Sequence, residues 1–233
     1  IEWPWFLDTQ GTPETNPNYN QFRLGWTPEH GFEGYWDVLT DETTLLNLAA
    51  IASPTHPVSA DVFYAWLREQ GRYNGRGITM SYFSSLFHYL FTHCWFDLKD
   101  KKDGMNLNHY NNSIQAGLAN RDFCIAGVDA SGRSNVPTYH ANSWGLSACD
   151  GIPAGRHLWY LGENGALPNV QYKNTLTMSN AIDGTVPPYG GISMIGFCDD
   201  DGLMPVEYIS GLVENFYRNT QLWTGFYGFR DAY

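Results

Sequence analysis

The chain has 233 residues, 43% of them hydrophobic, enough to bury a sizeable core, and a single domain is the expected organisation. Its net charge of −11 repels polyanions, which argues against nucleic acid or an acidic membrane surface as partner and favours a neutral ligand. Aromatic residues make up 16%, including nine Trp and fifteen Tyr, which suits a large core and also rings that line a carbohydrate cleft.

Residues 1–24 are polar and turn-rich behind Trp3, Trp5 and Phe6, and read as a loop. An aromatic loop follows, Gly25-Trp26-Thr27-Pro28-Glu29-His30-Gly31-Phe32, and then Tyr35 and Trp36. The first helix is expected over 41–52, with Thr40 or Asp41 as N-cap and Glu42 in its first turn. Leu45 to Ile51 should sink into apolar surroundings, and Pro54 ends the run.

Ser59 is expected to cap a second helix over 59–70, closed by Gly71, with a loop from Arg72 to Gly77. The run 80–96 is apolar on nearly every face and reads as an inner, buried helix. A fourth helix over 107–123 carries Ile114, Leu118 and Phe123 at helical spacing. Residues 144–151 suggest a short helix ending in a turn, and 151–190 a long loop. The last helix is expected over 204–218 with Pro205 near N1. Helix alternating with loop, and few alternating strand runs, point to paired antiparallel helices in a bundle or a toroid of hairpins.

Cys94, Cys124, Cys149 and Cys198 are widely spaced without a CxxC, so no zinc signature or dense disulfide framework is written here. Free buried thiols are expected, with one bridge left open. His88 and His93 stand five apart and do not converge on a metal as an i, i+4 pair does. The turn from Asp199 to Gly202 lacks the further acidic positions of an EF-hand loop. No required metal and no cofactor are expected, and no P-loop, GxGxxG or GxSxG occurs. No apolar run reaches membrane-spanning length. The chain opens Ile-Glu-Trp without Met, so the true N-terminus is expected upstream and the missing signal peptide says nothing about export.

Six motifs then stand in order: GWTPEHGF (25–32), Glu42 in a helix leading to SPTHP (53–57), HCWFD (93–97), NSWGLSACDG (142–151), DGTVPPYG (183–190) and YGFRDAY (227–233). In this the chain resembles the glycoamylase-like proteins, a group with the bacterial endo-β-1,2-glucanases and sophorose-releasing enzymes of glycoside hydrolase family 144. The resemblance runs from Trp26 to Tyr233. It implies an all-α (α/α)6 barrel that cleaves β-1,2-linked glucose with inversion. It also implies that 1–233 is the C-terminal half of one catalytic domain, whose missing N-terminal half would cover apolar surface here. A bacterial periplasmic or secreted location follows from the same resemblance. Two departures bear on substrate: the family usually has a small or amide residue where Asp41 stands, and 191–207 is longer and more acidic, although Glu207 fills its final position.

Glycoside hydrolysis commonly needs two carboxyls, about 6.5–9.5 Å apart for inversion, one of them protonated near neutral pH. Glu42 is the candidate acid, set among rings at a helix mouth, against the plainer reading of a residue that complements the helix dipole. Asp41 and Asp231 complete the catalytic candidates. Glu29 reads equally as a substrate contact or as loop support bonded to His30 or to a backbone turn. Asp150 and Asp183 each precede glycine, where an Asx-turn is the plainer explanation. Trp26, Trp36, Tyr82, Trp144 and Tyr189 are candidate sugar platforms, with His30 and His88 as further cleft candidates; ordinary packing competes at each. A transglycosylase, as in cyclic β-1,2-glucan synthases, and a non-catalytic glucan-binding protein are the alternatives.

Overall fold

The structure, a computed structural model, describes residues 1–36, 40–68, 70–79, 85–126, 136–147, 149, 184–199, 201–219, 222 and 229, and the backbone of 171–172 and 175–176. The chain divides into two compact units, Ile1–Glu69 and Gln70–Tyr233.

In the first unit, β1 (Arg23–Thr27) pairs antiparallel with β2 (Gly31–Tyr35), with Trp26 opposite Phe32. The expected aromatic loop is therefore a hairpin. Thr27 Oγ1 accepts the His30 amide at 3.1 Å and closes the turn that Pro28 opens. Asp8 is buried and ties the N-terminal segment to this hairpin: its carboxylate accepts from Tyr35 Oη at 2.6 Å and Arg23 Nη2 at 2.8 Å. The Tyr35 bond above all holds that carboxyl below its usual range, against the opposing effect of burial.

Helix α1 (Asp41–Ile51) starts where expected, behind a reciprocal capping box. Thr40 Oγ1 accepts from the Thr43 amide at 3.1 Å, and Thr43 Oγ1 accepts from the Thr40 amide at 2.8 Å. Such a cap is worth about 1 kcal/mol. A small core of Phe22, Ala50 and Val62 gathers Trp3, Trp36, Leu46 and Ile51 around it.

The helix expected over 59–70 is a single 3₁₀ turn, Ala60–Tyr64, capped by Ser59 as anticipated. Arg68 explains the stop: its Nη2 donates to the Phe63 carbonyl at 3.0 Å, the acceptor that a continuing α-helix would engage. Its guanidinium also lies over the Phe63 and Tyr64 rings.

The second unit opens with another hairpin the sequence reading took for loop, β3 (Gln70–Tyr73) and β4 (Arg76–Thr79). Its two-residue turn is Asn74-Gly75 with φ of +46° and +81°, a type I′ arrangement. The hairpin rests on helix α2 (His109–Ala126) through Arg76 Nε to Asp122 at 2.9 Å. Asn112 adds two bonds to the Thr79 backbone, at 2.8 and 3.0 Å.

The inner helix among the described residues is α2; of the apolar run 80–96, residues 80–84 lie outside the described residues. Ile114, Ala116, Gly117, Ala119 and Phe123 are all buried or helix-packed, and Gly117 admits the Met194 side chain so closely that a Cβ would meet its Cε at 2.5 Å. Within 85–96 there are only 3₁₀ turns, Leu86–Tyr89 and Thr92–Cys94. Their backbone is bonded elsewhere: Leu86 N to the Leu146 carbonyl at 3.2 Å and Phe87 N to Ser147 Oγ at 3.0 Å.

The segment 144–147 is likewise not helical. Asn120, fully buried on α2, accepts from Gly145 N and Leu146 N, both at 2.9 Å, and returns Nδ2 to the Leu146 carbonyl at 3.1 Å. Two-residue strands β5 (Gln171–Tyr172) and β6 (Thr175–Leu176) pair antiparallel. The short helix α3 (Pro188–Ile192) runs into a 3₁₀ turn, Ser193–Phe197, and α4 (Val206–Arg218) follows with Pro205 as its N-cap residue. Trp144, Leu146, Met194, Ile209, Leu212 and Phe216 join α2 in the main core.

The described residues are thus mainly helical with few, short strands; the hairpins are the departure from an all-α reading. Among them no helix is long and apolar enough to cross a membrane. Cys94, Cys124 and Cys198 carry free thiols, and Cys94 is exposed where a buried one was expected.

Candidate active site

Helix α1 presents an unusual inner face. Its buried residues are Asp41, Thr43, Thr44, Asn47 and Ala50, whereas Leu45, Leu46 and Leu48 are only half-buried. The apolar surroundings expected of Leu45–Ile51 are thus confined to one flank. The polar side is kept satisfied locally: Thr44 Oγ1 donates to the Thr40 carbonyl at 3.0 Å, and Asn47 Nδ2 to the Thr43 carbonyl at 2.7 Å. Asn47 is fully buried and its Oδ1 has no hydrogen-bond partner among the described residues.

Glu42 stands in the first turn of this helix, half-buried, beside the buried Asp41. Burial pushes its carboxyl above the ordinary glutamate value, although the helix N-terminus favours the anion. A carboxyl with this balance holds its proton to higher pH, as an acid catalyst must. Neighbouring residues on a helix do not face each other, so Asp41 points into the polar side while Glu42 lies nearer solvent. Asp41, at 5% exposure, is the more deeply buried of the two carboxyls.

The other candidates in the first unit separate into two groups. Trp26 is 45% exposed on β1, stacked edge-on with Trp5 at 5.6 Å, and Trp5 lies 4.6 Å from Phe32. Trp5 and Phe32 are also exposed, so the open surface holds three rings, of which the sequence reading singled out Trp26 alone. Glu29 is exposed at the turn, and His30 faces Glu33 at 3.7 Å and Thr27 in place of Glu29. Trp36, by contrast, packs partly buried against the Phe22 core.

In the second unit Tyr189 is 38% exposed and its hydroxyl donates to Ser147 Oγ at 2.9 Å. Ser147 Oγ also accepts from Phe87 N, and Ser85 Oγ lies 3.3 Å away. Residues from three separate stretches, 85–87, 147 and 189, therefore meet at one point. The serines went unremarked in the sequence reading, though Ser147 lies inside the NSWGLSACDG motif. Trp144 cannot be a platform: it is fully buried, with its indole in the core. His88 is buried as well, its ring 3.9 Å from that of Phe87. Tyr82, Asp150, Asp183 and Asp231 lie outside the described residues.

His93 meets Ser113 Oγ at 3.0 Å from its Nε2. Burial, with His109 adding to it, lowers its pKa from 6.5 to about 4. The neutral ring is the folded form, while the unfolded chain takes up a proton near pH 6.5. Stability contributed by His93 is therefore present above that pH and lost as pH falls toward about 4. Between those limits thermal unfolding should show a loss of order 2–3 kcal/mol that His93→Gln makes shallower. Equal pH slopes in the two proteins would contradict it.

Asp199, the acidic turn residue, is engaged by Lys99 Nζ and Tyr110 Oη, each at 2.7 Å. Among the described residues no group of three or more His, Cys, Asp or Glu converges on a metal-sized site.

Comparison with solved structures finds the same fold at low sequence identity. An endo-β-1,2-glucanase from Chitinophaga pinensis, in complex with sophorotriose and glucose, matches with TM-score 0.71 at 20% identity, covering 100% of this chain and 50% of that one. Two proteins described as "putative glucoamylase" match similarly. That from Bacteroides uniformis has TM-score 0.71 and 21% identity over 100% and 49% of the two chains. That from Bacteroides caccae has TM-score 0.73 and 19% identity over 100% and 50%. The chain thus spans about half the length of the solved structures it matches. Among curated proteins no match is found. The family described as "Putative glucoamylase" matches residues 34–233, which takes in α1 with Glu42, the Ser147–Tyr189 contact and α4, and the chain belongs to this glycoamylase family.

Proposed function

We propose that residues 1–233 are about the C-terminal half of one (α/α)6 catalytic domain that hydrolyses β-1,2-glucan or its oligosaccharides with inversion. Glu42 is the general acid that protonates the departing glucosyl oxygen, directly or through a substrate hydroxyl. Asp41 is a positioning residue on the inner face of α1. The opposing base is Asp231, or a carboxylate in the upstream half. Trp26 and Tyr189 are sugar contacts, Glu29 and His30 lie on the same hairpin as Trp26, and no cofactor takes part. The protein acts in the periplasm or outside the cell.

The observation that carries this reading is the state of Glu42: a half-buried carboxyl in a capped first turn, its pKa raised by burial. Family membership and the fold shared with an endo-β-1,2-glucanase support the substrate class. The complete domain, incubated with a panel of glucans, should degrade linear β-1,2-glucan and leave starch, cellulose and laminarin nearly untouched. Release of glucose from starch in preference would overturn the substrate assignment.

A further inference from the structure

The ring of Tyr189 is open to solvent, yet both of its ends are held. The backbone end lies in α3, which meets Gly145 so closely that a Cβ added at Gly145 or Gly190 would strike main chain. The far end is the phenol, which donates to the fully buried Ser147 at 2.9 Å. Gly145 and Leu146, just before Ser147, are bonded through their amides to the buried Asn120 of α2. An exposed ring is thus fixed to the core helix through its hydroxyl as well as through its main chain.

The direction of these hydrogen bonds follows from donor chemistry. A backbone amide can only donate, and Phe87 N donates to Ser147 Oγ at 3.0 Å. With Tyr189 Oη as the second donor, both lone pairs of that oxygen are engaged. The hydrogen of Ser147 is left for Ser85 Oγ, 3.3 Å away and equally buried. The single hydrogen of the Tyr189 phenol is therefore spent inward, and toward a ligand its oxygen can act only as an acceptor.

We propose that Ser147 is a positioning residue that holds the Tyr189 ring as a rigid platform for a neutral glucosyl unit, the phenol oxygen receiving a hydroxyl hydrogen of the glucan. The inference rests on the reading of the chain as a glucan hydrolase with Tyr189 among its sugar contacts. A hexose presents what this platform takes, a face of C–H groups for the ring and hydroxyl donors at its edge. An ionised uronate carboxylate has no hydrogen to give this oxygen, and the net charge of −11 repels it further. The platform thus selects neutral sugars over uronates. A ring fixed before the sugar arrives loses little freedom on binding, so the pinning is read in affinity.

The test is a double-mutant cycle in the complete protein, with Tyr189→Phe, Ser147→Ala and the two combined, read on β-1,2-glucan. Tyr189→Phe keeps the ring and leaves Phe87 N its acceptor, so the fold is preserved. KM should rise about 3–10-fold, the worth of one hydrogen bond, with a smaller change in kcat. Ser147→Ala also deprives Phe87 N of its acceptor, so it should melt earlier and raise KM as well. The double variant should raise KM no further than Tyr189→Phe alone, because both changes cut the same bond. Calorimetric titration with a β-1,2-gluco-oligosaccharide should show the same order in Kd, without recourse to catalysis. Wild-type KM in Tyr189→Phe, or factors that multiply in the double variant, would overturn the assignment. The same shifts on a neutral glucan of another linkage would leave the platform standing and remove the β-1,2 assignment. Cleavage of β-1,2-glucan with KM and Kd unmoved in the variants would do the reverse, and a wild-type protein that binds no glucan would overturn both.

Discussion

Glu42→Gln is expected to lower kcat on unactivated β-1,2-glucan by about 10²-fold or more, the usual contribution of a general acid. Glutamine keeps the size and most of the hydrogen-bonding capacity of the side chain but carries no transferable proton. Stability should move the other way at neutral pH. A raised folded-state pKa means that burial disfavours the anion, so any stability Glu42 lends is present at low pH and lost as pH rises through that pKa. The neutral amide avoids this loss. The variant should melt at the wild-type temperature or slightly above it at pH 7, and the two should converge as pH falls below the ordinary glutamate value. A dead enzyme that also melts early would show damage to α1 instead of loss of a proton.

Gly145→Ala is expected to have the largest effect on stability. Gly145 has φ of +106°, and a Cβ there would lie 2.1 Å from Gly191 N and 2.5 Å from Gly191 Cα. Both are backbone atoms of α3, held in turn by Pro187 and the core, and neither can step aside as a side-chain tip would. The opposite surface is equally tight, since a Cβ on Gly190 would meet Gly145 O at 2.0 Å. Backbone strain and overpacking together should cost about 3–5 kcal/mol. That lowers the melting temperature by about 10 °C or more in a chain of this size. Gly75→Ala separates the two causes. It shares a positive φ, +81°, but has nothing within 4 Å of the added carbon, so only about 1 kcal/mol should be lost. Equal melting temperatures for the two variants would remove the close-packing argument.

This contact also shows where sequence reasoning stopped. NSWGLSACDG and DGTVPPYG stand out as motifs, and for Trp144 the sequence leaves a sugar platform and ordinary packing as competing readings. The glycines instead let two backbones touch, and the tryptophan fills the core beneath them. Helices with explicit signals were legible: Thr40 before α1, the Ile114–Leu118–Phe123 spacing of α2, and Pro205 before α4. The ring-rich runs 59–68 and 85–96 were not, because their backbone groups are claimed by Arg68, Leu146 and Ser147, partners that helical periodicity does not reveal. The Asn74-Gly75 hairpin was written plainly and could have been read. The polar inner face of α1 was hidden by its leucines, which drew the eye to the wrong side of the helix. The place of Glu42 in the first turn of α1 was legible because it depends only on the cap beside it.

The most direct measurement compares wild type and Glu42→Gln on two β-1,2-linked substrates, unactivated glucan and an oligosaccharide with a dinitrophenyl leaving group. A dinitrophenolate departs without a proton, so the general acid matters only for the glucan. The complete protein should lose about 10²-fold or more in kcat on glucan with Glu42→Gln, and much less on the activated substrate. Equal losses on both would contradict the assignment of Glu42 as the proton donor.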